Sequence, residues 1–352
     1  MTLQETIRAI GPFDEAAAAR ARRRWNSLAK PLGSLGQLEE AVIQIAGITG
    51  SERVRLKKRA VVVMCADNGV VEEGVTQCDN SVTAIVTENF TTGTTSVCCM
   101  ARAAGADVVP VDIGVAREVD GPGLIHHKLA FGTDNMTKGS AMTREQAVEA
   151  VETGINIAMG LANEGYRILA TGEMGIGNTT TSSAVTSVFL GRSPAEVTGR
   201  GAGLSSEGLE RKIRAIERAV AVNRPDPEDA VDVLAKVGGF DLAGLAGVFL
   251  GGAAARVPVL VDGFISAAAA LAAVRICPAV RPYLIASHVS KEPAGRMLMR
   301  ELELSPFLDA GMCLGEGTGA VAALPVLDMA LAVYDEMATF TETSIEEYQP
   351  LV

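Results

Sequence analysis

The chain has 352 residues, enough for one large domain or two and for a substantial core. Its formal net charge is -11 and its pI about 4.9, which argue against nucleic acid and anionic membrane surfaces as partners. With 48% apolar residues, only 4% aromatics and 37 glycines, it suits tightly packed helices and sheet better than an aromatic-rich binding face.

In chain order, the N-terminus (Met1-Thr-Leu-Gln-Glu-Thr-Ile-Arg8) has no apolar signal segment. Two helices are expected over Asp14 to Leu28 and Leu35 to Ile48, joined by a turn at Lys30-Pro-Leu-Gly-Ser34, with Arg20-Ala-Arg-Arg-Arg24 as a solvated helix end. Short β-branched runs then predict buried parallel strands at Ala60 to Met64, Asp107 to Val111, Arg167 to Ala170 and Val257 to Val261, with another possible strand end after Tyr283-Leu-Ile-Ala286. Loops containing Gly or Asp follow the first four runs: Ala66-Asp-Asn-Gly69, Asp112-Ile-Gly114, Gly172-Glu-Met-Gly175 and Asp262-Gly-Phe264. Helical patterns over Thr143 to Glu164 and Leu209 to Val222 alternate with them, and a last helix is expected over Ala323 to Met337. The fold class is therefore α/β: an open, mainly parallel Rossmann-like sheet flanked by helices, with a small helical domain built from the two termini. The domain boundaries are 1–35 together with 325–352 for the helical domain and 36–324 for the large catalytic one. Ligands of such sheets bind outside the carboxyl ends of the strands, where these loops gather.

Apolar stretches such as Phe264 to Val274 fall short of a membrane span, so a soluble, cytoplasmic protein without membrane contact is expected. The six cysteines form no C-x-x-C pair and have no histidine at metal spacing, which reads as reduced, mostly buried thiols and no metal site.

Chemistry concentrates in a few loops. In Leu314-Gly-Glu-Gly-Thr-Gly319, glycines on both sides of Glu316 strip away side-chain cover, so a carboxylate meets its ligand beside backbone amides. Thr171-Gly-Glu-Met-Gly-Ile-Gly-Asn-Thr-Thr-Thr181 follows a strand and opens a helix, an arrangement that favours phosphate; the alternative is a tight turn with an N-cap. Gly199-Arg-Gly-Ala-Gly203 supplies a second nest of amides ahead of Lys212, which taken alone reads as a surface lysine. His288, in Ser287-His-Val-Ser290, taken alone reads as a structural histidine. The chain has no P-loop lysine motif, no paired acids followed by Thr-Gly-Gly-Thr and no Gly-x-Ser-x-Gly elbow. A phosphate held by amides and one lysine suits a monophosphate.

In their order, these loops resemble the nicotinate-nucleotide–dimethylbenzimidazole phosphoribosyltransferase family over nearly the whole chain. The resemblance is carried by Lys30-Pro-Leu-Gly-Ser-Leu-Gly36, Met64-Cys-Ala-Asp-Asn-Gly69, the run from Thr171 to Thr180, Leu234-Ala-Lys-Val-Gly-Gly-Phe-Asp241, Val261-Asp-Gly-Phe264, Arg281-Pro-Tyr-Leu-Ile285 and Leu314 to Gly319. It implies transfer of phosphoribose from nicotinate mononucleotide to a benzimidazole nitrogen with inversion at the anomeric carbon, giving the lower-ligand nucleotide of cobamides. It further implies Glu316 as general base, with Glu173 orienting the acceptor or stabilising charge on the ribose. Gly175, Thr179, Thr180, Gly201, Lys212, Gly263, Ser290 and Gly317 would hold the donor, no cofactor or metal would be needed, and a homodimer would complete the site.

The acceptor pocket it implies comprises Cys78, Asp79, Val86, Met174 and Leu314. Family members that use dimethylbenzimidazole carry serine and glutamine at the positions of Cys78 and Val86. Asp79-Asn-Ser81 departs from the usual stretch as well, and Asn68 stands where histidine is common. Losing a glutamine that hydrogen-bonds an azole weakens selection for benzimidazoles. A phenolic or purine acceptor, a heterodimer, neutral drift and a non-catalytic nucleotide-binding relative therefore stay open. A nicotinamide-dependent oxidoreductase fits less well, because the glycine spacing is Gly-x-x-Gly-x-Gly and no acid sits at the following strand end.

Overall fold

Six runs form strands in the computed structural model, which describes residues 1–348: β1 (Arg59–Ala66), β2 (Asp107–Gly114), β3 (Ile125–His126), β4 (Ile168–Met174), β5 (Val259–Val261) and β6 (Leu284–Ala286). They make one parallel sheet in the order β3-β2-β1-β4-β5-β6. The chain starts in the middle at β1, winds outward to β3, and resumes on the other side at β4. The switch between β1 and β4 opens the crevice in which doubly wound sheets hold ligands. Every residue of β1 is buried, which explains its unbroken apolar run in place of alternation.

Strand boundaries differ from the sequence expectation at several points: β1 and β2 run on to Ala66 and Gly114, into stretches expected as loops, and β4 and β5 differ for identifiable reasons. β4 continues through Gly172 and Glu173, expected in a loop, because β1 is long enough to pair Val63 with Gly172 and Met64 with Glu173. Glu173 thus stands near the end of a pinned strand. β5 starts later than expected because Pro258, having no N–H, cannot join a ladder as donor; its carbonyl accepts from Leu169 instead.

The helices are, in order, α1 (Leu3–Ala9), α2 (Glu15–Ser27), α3 (Gln37–Thr49), α4 (Ser81–Thr92), α5 (Ser96–Ala104), α6 (Arg144–Asn163), α7 (Asn178–Leu190), α8 (Pro194–Val197), α9 (Ser206–Asn223), α10 (Ala230–Val237), α11 (Phe240–Ala254), α12 (Phe264–Ile276), α13 (Gly295–Glu301) and α14 (Thr318–Glu336). α11 is buried over nearly its whole length and runs against both the sheet and α6. The two termini meet: Trp25 packs on Tyr334 with ring centroids 5.1 Å apart, and Leu28 bridges Thr339. Residues 349–352 of the expected helical domain lie outside the described residues. Among the described residues, α14 is the one helix long and apolar enough to cross a membrane, but half of it is buried in the core and Asp328 on it pairs with Arg59 at 2.9 Å.

Candidate active site

The carboxyl ends of β4, β5 and β6, the first turn of α7, the loop 199–203 and the turn 313–316 surround a cavity of about 320 Å³. Glu316 lies on its wall with φ of 60°, a left-handed backbone that a side-chain-bearing residue adopts at a cost. Two glycines make the placement possible. A Cβ on Gly172 would overlap the carbonyl of Glu316, and one on Gly315 would overlap Oε1 of Glu173. The turn therefore lies flat against the end of β4, and the two acids face the same cavity.

This close fit has a testable cost. Gly172→Ala should lower the melting temperature and turnover together, by about 1–3 kcal/mol in stability. Gly139→Ala, which meets nothing within 4 Å, should change neither. Thermal melts and an activity assay on the two variants check it.

Oε2 of Glu316 accepts the Val97 N–H at 3.0 Å, in the first turn of α5, where the helix dipole favours an anion. Burial pushes its carboxyl above the ordinary range, while the amides of Val97 and Ser96 pull the other way. A carboxylate shifted in this direction is a better proton acceptor than an ordinary glutamate.

Glu173 is more extreme. Burial first, then the nearby Asp241, push it up to about 8, against the opposing pull of Asn178. The Asn178 amide donates to Oε2 of Glu173 and, at 3.0 Å, to Oδ2 of Asp241. Burial also lifts Asp241 to about 6 and Asp262 to about 7. Oδ1 of Asp262 accepts the Ala320 N–H at 2.8 Å and lies 3.9 Å from Nδ1 of His288. Burial holds His288 below its ordinary value, so the ring is neutral. Burial, reinforced by the charge of Asp241, thus favours the protonated form of Glu173 at neutral pH.

Asn178, Asp241, Asp262 and His288 were not singled out as site residues by sequence reasoning. The signal was present for the two aspartates. Each closes or opens a motif quoted above, Asp241 at the start of a helix and Asp262 at the end of a strand.

Elsewhere the cavity wall carries glycines, hydroxyls and one further carboxylate, Glu292. Gly175, Thr179, Gly201, Gly263 and Ser290 are part of this wall. Lys212 stands directly behind them: it is 1% exposed, and its Nζ donates to Thr179 Oγ1 at 2.8 Å and to the Gly199 carbonyl at 3.2 Å. Burial depresses it to about 8. It therefore acts on the cavity through the groups it holds, Thr179 and the 199–203 loop, and not from the wall itself. The surface position that the sequence suggested for Lys212 in isolation is thus replaced by a buried one, because α9 lays that face on the 199–203 loop. Thr180 and Gly317 are not on the cavity wall: Thr180 is buried within α7, and Gly317 caps α14 against β1 and β4.

Of the residues expected to hold the acceptor, Cys78, Val86, Met174 and Leu314 line the cavity, and so does Cys313, which sequence reasoning passed over. Asp79 is turned away, accepting from the backbone N–H of Ser81 at 2.9 Å.

A phosphoribosyltransferase family profile matches residues 10–345. Proteins named nicotinate-nucleotide–dimethylbenzimidazole phosphoribosyltransferase are similar over essentially full length. That of Ruminiclostridium cellulolyticum is 52% identical over 351 residues, covering 100% of both chains. That of Acetivibrio thermocellus is 50% identical over 350 residues, covering 99% of this chain and 100% of its own. The crystal structure of CobT from Thermus thermophilus superposes with a TM-score of 0.90 at 42% identity, covering 95% of this chain and 100% of that one. Fold, sequence and motif order agree, and the chain belongs to the nicotinate-nucleotide–dimethylbenzimidazole phosphoribosyltransferase family.

Proposed function

We propose that this protein moves the 5-phosphoribosyl group of nicotinate mononucleotide to a ring nitrogen of 5,6-dimethylbenzimidazole or a close analogue, releasing nicotinate and the α-ribotide used in cobamide nucleotide-loop assembly. The observation that carries the reading is a single cavity lined by Glu173 and Glu316 together with glycines and hydroxyls, with a buried lysine bonded to Thr179 behind the wall. The donor phosphate rests among Gly175, Thr179, Gly201, Gly263 and Ser290, with the charge of Lys212 behind them. Thr180 and Gly317 act from behind the wall, fixing the helix starts that bear the ligand-facing groups.

The bond between the ribose anomeric carbon and the pyridinium nitrogen breaks with its electron pair going to that nitrogen, which departs neutral and needs no acid. The azole lone pair forms the new bond on the opposite face, and the N–H proton of the azole passes to Glu316. Glu173, when ionised, opposes the positive charge that develops on the ribose.

A phenolic acceptor is the second reading, favoured by Cys78, Val86, Met174 and Leu314, none of which carries an amide, while the two amides on the cavity wall are engaged elsewhere, Gln77 with the Gly203 carbonyl and Asn178 with Glu173 and Asp241. Incubating the purified protein with nicotinate mononucleotide and a panel of benzimidazoles, purines and phenols, then identifying ribotides by mass, decides between them. Benzimidazole ribotides are expected to dominate. Products from phenols alone would favour the second reading, and no product from any acceptor would refute both. Val86→Gln should raise the preference for benzimidazole over phenol by about tenfold in kcat/KM, read in the same assay.

The protein is further proposed to act in the cytoplasm as a homodimer, with the helices of the two termini forming a small unit beside the sheet domain. Ile85 and Leu314 are exposed apolar side chains, suited to burial by a second copy. Sedimentation analysis should give twice the mass of one chain.

A further inference from the structure

Glu173 is held by two residues that the transfer step itself does not use. Asn178, the first residue of α7, directs one amide nitrogen at both Glu173 and Asp241. Asp241, in the first turn of α11, is wholly buried, and its other oxygen accepts the Leu242 N–H at 2.9 Å. Carboxylates only accept, so turning the Asn178 amide over would aim its oxygen at two acids. Asp241 thereby fixes which way Asn178 faces. With Oε2 of Glu173 engaged by Asn178, Oε1 is the oxygen beside Gly315 on the cavity side.

We propose that Asp241 and Asn178 are positioning residues for the transfer: Asp241 locks the Asn178 amide, and Asn178 aims the Glu173 carboxylate at the donor ribose and governs when it carries charge. The two act on Glu173 in opposite senses. The charge of Asp241 favours the protonated acid, and the amide of Asn178 favours the carboxylate. The other titratable groups around the pair are Asp262, at the end of β5, and the Cys65 thiol, on β1, near Glu173, and Asp67, after β1, near Asp241, while the Glu316 backbone N–H supports the Glu173 anion. Asn68, from the β1 loop, adds an uncharged amide within hydrogen-bond distance of the Ile176 carbonyl at 3.4 Å.

The inference rests on the reading of Glu173 as the ribose-facing acid, so Glu173→Gln serves as the reference. The experiment records kcat and kcat/KM against pH with nicotinate mononucleotide and dimethylbenzimidazole. Asp241→Asn keeps the shape and an accepting oxygen but removes the like charge, and should move the acid limb down by about one pH unit. Asn178→Ala removes the donor, and Asn178→Asp also adds a like charge, so both should move the limb up, the second further. Each variant should also lower kcat by about tenfold. Glu173→Gln should remove the part of the limb that Glu173 sets, leaving only the fall that protonation of Glu316 causes.

Rates that fall while the limb stays in place, or limbs that move the same way in the Asp241 and Asn178 variants, would overturn the proposal. An unchanged limb and rate in Glu173→Gln would instead overturn the assignment of Glu173. Each variant that folds decides by the direction of its own shift, and thermal melts identify any that does not.

Discussion

Replacing Glu316 by glutamine should lower turnover by at least about a hundredfold while leaving donor affinity nearly unchanged. Glutamine keeps the length of the side chain, and its carbonyl oxygen can still accept the Val97 N–H that anchors the native carboxylate at 3.0 Å. The left-handed backbone at this position is unaltered by the exchange, and the turn remains seated on Gly172. What is lost is the capacity to take a proton. The azole can still enter and the donor phosphate can still bind, but attack now leaves the acceptor with a proton that has no base to receive it. Steady-state kinetics with each substrate varied in turn tests this. A fall in kcat with an unchanged KM for nicotinate mononucleotide is expected, and near-normal turnover would remove Glu316 from its role.

Lys212→Met should act on the other kinetic constant. The side chain keeps a similar length in a buried channel but no longer supports the phosphate subsite with charge. Charge-assisted hydrogen bonds are worth about 1.5–3 kcal/mol, so kcat/KM for the donor should fall by about ten- to a hundredfold.

The pH dependence supplies a second check. Burial lowers the free-enzyme Lys212 to about 8, and only its protonated form attracts the phosphate. Donor kcat/KM of the native enzyme should therefore fall as pH rises through about 8. Donor binding above that pH should take up a proton, since an anion beside the amine favours its charged form. In Lys212→Met the alkaline fall attributable to this group should disappear, leaving low affinity at every pH. Native affinity in the variant would mean that the amides and hydroxyls hold the phosphate without the cation.

Much of this organisation was legible in the residues, for identifiable reasons. Strands β1, β2, β4 and β5 announce themselves because largely buried strands carry short apolar runs, valine-rich in β1, β2 and β5 and Ile-Leu-Ala in β4, and a Gly or Asp at or after the end of each marks the sheet edge where ligands bind. The exposed carboxylate at Glu316 is visible for a similar reason: close backbone contact demands glycine, and glycine leaves a written trace.

Two of the elements that escaped lack a period. α11 and α12 are apolar on nearly every face, so no amphipathic stripe distinguishes them from buried strand or loop. α4 is rich in threonine, valine and asparagine, which have weak helix preference, and tertiary packing makes it helical.

The acids around Glu173 escaped for another reason. Asp241, Asp262 and Asn178 come from three separate segments, and only the parallel sheet brings them to one point. Their unusual protonation follows from joint burial, a property that no single segment possesses. Lys212 belongs to the same class: alone it is an ordinary lysine on an amphipathic helix, and it becomes a buried cation because α9 turns that face onto the 199–203 loop.

The central claim is that one cavity transfers phosphoribose with Glu316 as the base. It is tested most directly by following nicotinate release and ribotide formation together, from nicotinate mononucleotide and dimethylbenzimidazole, in the native enzyme and in Glu316→Gln. Equal amounts of nicotinate and α-ribotide from the native enzyme, with both slowed together at least about a hundredfold in the variant, are the expected result. Nicotinate released without ribotide, or a variant that forms ribotide at the native rate, would contradict it.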